Sequence, residues 1–294
     1  MKIVTDPDKM KTYAKIIKKE NKLIGFIPTM GYFHEGHTSL IKTARKQSDI
    51  VIVSVFVNPI QFGVNEDFDS YPRDTARDEE LARACGVDAF FCPKKEDMYP
   101  EDYSTYVDVE GLTSGLCGKS RPGHFRGVTT VVAKLFNIVR PDIAYFGQKD
   151  AQQAFVIKRM VEDLNMGITL KILPTVREKG GLAMSSRNIY LKGSERKDAA
   201  ILYSSLKLAE ELISSGERDA KKIIKKMREL ISTVPAVSKI EYISIVDTGF
   251  LKDVAIIGGE VLIALAARVG RTRLIDNVIL NVKSEKPEND HDRP

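Results

Sequence analysis

The run Ile50-Val51-Ile52-Val53-Ser54-Val55-Phe56-Val57 constrains this chain more than any other segment. Its β-branched and aromatic residues fall on both alternate faces, which predicts a strand covered on both sides, as in the middle of a parallel sheet. The stretches around it fit such a sheet. Residues 23–27 read as a strand, followed by a loop and a helix through Leu40, Ile41 and Ala44. A helix over 75–84 precedes a strand at 87–91, and a helix over 128–139, ended by Pro141, precedes a strand at 142–146. A last helix over 150–164 leads to a strand at 168–173. Such alternation predicts an α/β fold with a Rossmann-like, doubly wound parallel sheet. Ligands of these sheets bind beyond the carboxyl ends of the strands.

Beyond about residue 180 the pattern changes. Leu202, Leu206, Ala209 and Ile213 mark one face of an amphipathic helix, and Ala220, Ile223, Met227 and Leu230 mark another. Strand-like runs follow at 241–246, 261–267 and 273–280. The expected organisation is a Rossmann-like domain over 1–182, a smaller α+β domain over 183–283 and a polar, disordered tail over 284–294.

With 43% apolar and 29% charged residues, the composition is that of a soluble globular protein with a sizeable core. No apolar run approaches the roughly 20 residues of a membrane span, and Asp6-Pro7 interrupts the start before a signal-type core can form. A cytoplasmic enzyme is expected. Cys85, Cys92 and Cys117 form no C-x-x-C, and the histidines are not spaced around them as zinc ligands, so buried, reduced thiols are expected. The net charge of +5 suits a pocket for anionic small molecules. Lys and Arg are interleaved with Asp and Glu, which argues against a nucleic-acid surface.

Two of the four histidines lie in Pro28-Thr29-Met30-Gly31-Tyr32-Phe33-His34-Glu35-Gly36-His37, between the first strand and a helix. A helix N-terminus favours phosphate, glycine lets backbone approach a ligand, and imidazoles can donate hydrogen bonds to phosphate oxygens. Two capping histidines, or a metal pair, are the competing readings, although H-x-x-H is a poorer metal spacing than H-E-x-x-H. Asn58 and Gln61, after the central strand, place amides where a hydroxyl or carboxylate could be oriented; Asn58-Pro59 alone is also a simple turn. Gly147-Gln148-Lys149-Asp150 ends another strand, with Gln153 one turn further along. Lys149 offers charge to phosphate, and Asp150 could cap the helix or bind a ribose. Met184-Ser185-Ser186-Arg187, after Gly180-Gly181, reads as a mobile phosphate loop or as a domain linker. The basic loop 118–127 is a weaker candidate of the same kind.

In this order, PTMGYFHEGH, SVFVNPIQFG, YPRD, RPGHFRGV, FGQKDAQQ and LAMSSRN closely resemble the pantothenate synthetase (pantoate–β-alanine ligase) family of the nucleotidyltransferase-like superfamily. The resemblance implies that ATP activates pantoate as an acyl-adenylate, which β-alanine then attacks to give pantothenate, AMP and pyrophosphate. It implies Mg²⁺ with ATP, a homodimer, and that the smaller domain over 183–283 is a lid that closes to keep water from the mixed anhydride. His34 and His37 match its His-x-Gly-His signature, with His37 as proton donor and Glu35 where an aliphatic residue often sits. ATP would be held by 30–37, Gly147, Gln148, Lys149, Asp150, Val176 through its backbone, and Met184, Ser185, Ser186 and Arg187. Pantoate and β-alanine would meet Met30, Asn58, Gln61 and Gln153. Residues 184–187 stand where relatives carry Lys-Met-Ser-Lys-Ser, so Arg187 and Lys149 would supply the missing charge. Another nucleotidyltransferase, moving AMP or CMP to a small acceptor, would keep the histidines but would not need both Gln61 and Gln153. An RNA-binding relative of the synthetases and a nucleotide-binding regulator are the alternatives from other classes.

Overall fold

A computed structural model describes residues 1–64 and 66–283; the expected tail at 284–294 lies outside them. Six strands form one parallel sheet: β1 (Lys2–Val4), β2 (Ile24–Thr29), β3 (Ile50–Val55), β4 (Ala89–Phe91), β5 (Ile143–Gly147) and β6 (Thr169–Leu173). Their order is β1-β4-β3-β2-β5-β6. Three long strands, β7 (Val237–Asp247), β8 (Gly259–Val269) and β9 (Thr272–Val282), make a separate antiparallel sheet. The helices are α1 (Pro7–Lys19), α2 (Glu35–Gln47), α3 (Thr75–Ala84), α4 (Lys95–Met98), α5 (Leu116–Ser120), α6 (His124–Val139), α7 (Ala151–Asp163), α8 (Glu195–Asp198), α9 (Ile201–Ser214) and α10 (Ala220–Ile231). None is long and apolar enough to cross a membrane.

The doubly wound α/β fold with a smaller α+β part is thus present. β3 lies between β4 and β2, and Val51, Ile52 and Val53 are fully buried, as its composition predicts. It stops at Val55, two residues short of the expected end, where Pro59 begins a 3₁₀ turn (Pro59–Gln61). The opening strand β1 escapes a reading by sequence because it is three residues long, at the sheet edge, and largely exposed.

Each face of the sheet has its own core. Ile24, Phe26 and Ile52 pack with α1, α6 and α7 on one side, while Ile27, Val51 and Val53 pack with α2 and α3 on the other. The second sheet is also covered on both sides. Val261, Ile263, Leu265 and Ala267 of β8 meet α9 and α10, and the alternating Leu262 and Ala264 join the core of the first domain. The three cysteines are free, but only Cys117 is buried; Cys85 and Cys92 are partly exposed.

One close approach fixes the site. A side chain at Gly127 of α6 would begin 2.4 Å from the carbonyl oxygen of Ile60, so only glycine lets α6 lie against the 3₁₀ turn that carries Gln61. Gly127→Ala is expected to lower unfolding stability by about 1–3 kcal/mol, the usual cost of overpacking, read as a drop in the urea midpoint. An unchanged midpoint would mean that the helix and turn separate freely.

Candidate active site

β2 and β5 are neighbours, yet the chain leaves β2 towards β3 on one side and β5 towards β6 on the other. Their carboxyl ends therefore open a crevice at the point where the strand order reverses. A cavity of about 210 Å³ occupies it. Met30, His34, Gly36 and His37 line it from the loop after β2, and Asn58 and Gln61 from the loop after β3. Gly147, Lys149, Asp150 and Gln153 line it after β5, and Val176 with Met184 to Arg187 complete it after β6. Not every residue of the first motif faces it. Phe33 is buried in the core, Glu35 is exposed, and Gly31 and Tyr32 shape the turn.

That turn has two successive left-handed residues, Gly31 (φ +85°) and Tyr32 (φ +54°). The buried carboxylate of Asp78, on α3, accepts the Tyr32 and Phe33 N–H groups at 2.6 Å each. Burial pushes the Asp78 carboxyl up, and these two backbone donors oppose the shift. Asp78 is not identifiable from sequence, because a carboxylate in the middle of a polar helix carries no sign of its partner.

The two imidazoles cap the helix that they open. His34 Nδ1 accepts the Gly36 N–H at 3.1 Å, and His37 Nδ1 accepts the His34 N–H at 3.3 Å. Their rings lie 4.1 Å apart. A Cβ on Gly36 would sit 2.8 Å from His34 Cε1, which is why glycine separates the pair. An Nδ1 that accepts cannot carry a proton, so both rings are neutral with the hydrogen on Nε2. Burial, reinforced by Lys149, lowers His34 to about 4. Burial, then His34 and Lys149, holds His37 well below its ordinary value. The competing cap reading and the phosphate reading are therefore compatible: Nδ1 caps, and Nε2–H is left as a donor.

Gln61 is buried, and its Nε2 lies 3.1 Å from Met30 Sδ. Asn58 donates to Gln61 Oε1 at 3.0 Å. Of the adjacent glutamines on α7, Gln152 is structural, bonded to Cys117 N–H and to the Leu112 and Gly115 carbonyls, while Gln153 faces the cavity. Among the described residues, no atom other than those of its chain neighbours lies within 4 Å of where a Gly147 side chain would begin, so the backbone there is open to the cavity. The buried Thr175 hydroxyl also lines the cavity and has no protein partner among the described residues.

A larger cavity of about 1130 Å³ continues outward between the two sheets and shares Lys149, Asp150, Gln153, Ser185 and Arg187 with the first. Arg187 is held by Asp67 through two bonds of 2.8 Å. Ser186 donates to the Tyr32 carbonyl, tying the Met184–Arg187 segment to the histidine loop. Val176 uses its carbonyl to accept the Met184 N–H. Gln148 does not line either cavity; it lies against Asn277 of β9, whose amide donates to the Gln148 and Lys149 carbonyls at 2.9 Å each. In the basic loop 118–127, Arg121 and His124 line the larger cavity and also brace its wall. Arg121 pairs with Glu66, and His124 Nδ1 donates to the Gln61 carbonyl at 2.9 Å.

No group of three His, Cys, Asp or Glu side chains among the described residues stands close enough to hold a metal.

In the ligand-free protein His34 is expected to titrate near pH 4, measured by NMR of its ring protons; an ordinary value would mean that its Nδ1 bond is not kept in solution. Burial and Arg121 also lower His124 to about 4. Because the folded values lie below the unfolded value of about 6.5, these groups contribute stability in full above that pH. They lose it as pH falls towards about 4. The denaturation midpoint is expected to fall over this window, and less steeply in His34→Asn, which keeps a capping oxygen. Identical slopes in both proteins would contradict the assignment.

Residues 2–279 match the family described as pantoate-beta-alanine ligase. A pantothenate synthetase of Heliobacterium modesticaldum is 54% identical over 96% of this chain and 100% of its own length. One from Moorella thermoacetica is 57% identical over 93% of this chain and 96% of its own. The crystal structure of pantothenate synthetase from Thermus thermophilus superimposes with a TM-score of 0.89 at 42% identity, covering 97% of this chain and 100% of that one. A pantoate-beta-alanine ligase from Francisella tularensis, complexed with beta-gamma ATP and beta-alanine, gives 0.77 at 33% identity, covering 95% and 97%. The chain belongs to the pantoate-beta-alanine ligase family.

Proposed function

We propose that the crevice joins pantoate to β-alanine, using ATP, through a pantoyl-adenylate intermediate. The observation that carries this reading is one cavity that combines two neutral Nε2–H donors at a helix N-terminus, the Lys149 ammonium, and the amides of Gln61 and Gln153. A carboxylate is a poor acyl donor because oxide would have to leave. Attack of a pantoate carboxylate oxygen on the α-phosphorus of ATP forms a new P–O bond and breaks the bond to the departing pyrophosphate. His34, His37 and Lys149 stabilise the charge that gathers on the phosphate oxygens, and Arg187 meets the outgoing phosphates. The neutral amine of β-alanine then attacks the acyl carbon, loses a proton, and expels AMP. Gln61 and Gln153 hold the pantoyl hydroxyls and carboxyl in place for both steps.

Mg²⁺ enters as part of the MgATP substrate. With no protein cluster for it among the described residues, phosphate oxygens and water would supply most of its ligands, as is usual for this ion. Asp150, exposed at the junction of the two cavities, is the carboxylate placed to meet a ribose or the hydrated ion. A cytoplasmic homodimer belongs to the same reading and rests on the family resemblance; sedimentation of the full chain measures the mass. A nucleotidyltransferase acting on another acceptor would use the histidines but leave the two cavity glutamines without a role.

Pyrophosphate release from MgATP is expected with pantoate alone, and AMP release at steady state only with pantoate and β-alanine together. Absence of any response to pantoate would sink the assignment. His37→Ala is expected to slow pyrophosphate release about 10²–10³-fold, the usual effect of removing one preorganised donor, while the circular dichroism spectrum is unchanged.

A further inference from the structure

Asn58 makes three side-chain hydrogen bonds, and together they decide which way the Gln61 amide points. Its Nδ2 lies 3.0 Å from the Gly127 carbonyl oxygen. A carbonyl only accepts, so that atom of Asn58 is the nitrogen and the opposite one is Oδ1. The phenol of Tyr99 lies 2.8 Å from Oδ1 and must therefore donate to it. The second hydrogen on Nδ2 goes to Gln61 at 3.0 Å, which makes the receiving atom Oε1 and turns Nε2 towards Met30 and the cavity.

Tyr99 itself lines neither cavity. It follows α4, and its ring is wedged between Phe56, with centroids 6.1 Å apart, and Tyr103, at 5.0 Å. The Lys134 ammonium lies 5.5 Å from its face. Burial raises the phenol well above its ordinary range, so it remains a donor.

We infer that Tyr99 is a positioning residue for the acyl substrate: through Asn58 it fixes the Gln61 side chain as a hydrogen-bond donor to the hydroxy acid. The inference rests on the reading of the cavity as a pantoate site. Without the phenolic hydrogen, Asn58 Oδ1 is a buried acceptor with no partner. The Asn58 amide then gains by moving towards other donors, and Gln61 Oε1 loses the bond that excludes the flipped rotamer. A flipped Gln61 offers an oxygen to a carboxylate or hydroxyl that needs an N–H. The nucleotide half of the site, built on the loops after β2 and β5, meets this chain of bonds at Met30, whose Sδ lies 3.1 Å from Gln61 Nε2; His34, His37 and Lys149 are not members of it.

Tyr99→Phe keeps the ring and its packing, so it tests the bond alone. The expected result is a KM for pantoate raised about tenfold, the loss of one well-placed donor, with the KM for ATP and kcat within about twofold of wild type. In a Gln61→Ala background the same substitution is expected to add nothing, because its route to the substrate is gone. Equal rises in the pantoate and ATP constants, or effects that multiply in the double variant, would overturn the inference. A second readout is independent of turnover: the side-chain amide hydrogens of Asn58 and Gln61 should exchange slowly in the wild-type protein and fast in Tyr99→Phe. Equal exchange in both overturns it. A wild-type protein that ignores pantoate but shows the exchange difference would instead overturn the substrate reading and leave the Tyr99–Asn58–Gln61 link standing.

Discussion

The parallel pairing of β2 with β5, Gly25 against Ile143 and Phe26 against Ala144, is the constraint from which the site follows. The connections from these two strands run to opposite sides of the sheet, so α2 packs over one face and α7 over the other. No crossover covers the carboxyl ends between them. Both following segments, the histidine loop before α2 and the 3₁₀ turn Gln148–Asp150 before α7, therefore reach the same opening. Residues separated by most of the first domain meet there because strand order reverses, not because any local sequence directs them together. The loops after β3 and β6 then close two further sides with Gln61 and Val176.

Within that opening, capping and charge state are one fact. Each histidine uses Nδ1 to accept a backbone N–H, which it can do only when neutral. Protonation would convert both caps into opposed N–H groups beside the Lys149 ammonium, at the positive end of a helix. Burial makes that state worse still. The site thus presents hydrogen-bond donors without two additional full charges, and Asp67 moderates the charge of Arg187 in the same way. Such an arrangement favours an oxyanion whose charge grows during reaction over one that is already highly charged, which suits transition-state stabilisation rather than tight substrate storage.

Much of this is legible in the sequence because it is local. The continuous apolar run of β3, the alternation with helices of period about 3.6 residues, and glycines beside histidines all act over a few residues. The motif residues Met30, His34, His37, Gln61, Lys149 and Gln153 do converge. What the sequence hides is long-range. Asp78 holds a loop more than forty positions earlier, and nothing in Thr-Ala-Arg-Asp-Glu-Glu distinguishes its carboxylate from its neighbours. Asn277 is half of a polar pair set between apolar residues of β9, with nothing local to name its partner, and it is buried against the Gln148 turn. In the basic loop 118–127, composition shows Arg121 and His124, which line the larger cavity, but not the Glu66 carboxylate and Gln61 carbonyl that they bond.

The contacts of β9 bear on what the second sheet is for. Asp276 accepts two bonds from Arg177, at 2.6 and 2.9 Å, and its side chain is nearly inaccessible. Next to it, Asn277 satisfies the two carbonyls of the turn that presents Lys149. An ion pair this deep is weak evidence for net stability, but removing one partner leaves an uncompensated charge, at a typical cost of about 3–5 kcal/mol. Unpaired buried carbonyls would add about 1–3 kcal/mol each. A rigid separation of the sheets would have to break all of these together and wet them. The second sheet is therefore bonded into the wall of the larger cavity, which Thr272 to Asn277 line. The polar atoms of Asp276 and Asn277 sit on the same strand as the apolar Leu274 and Val282, which anchor it to α9 and α10. Packing in the small domain and placement of Lys149 in the large one are in this way properties of a single strand.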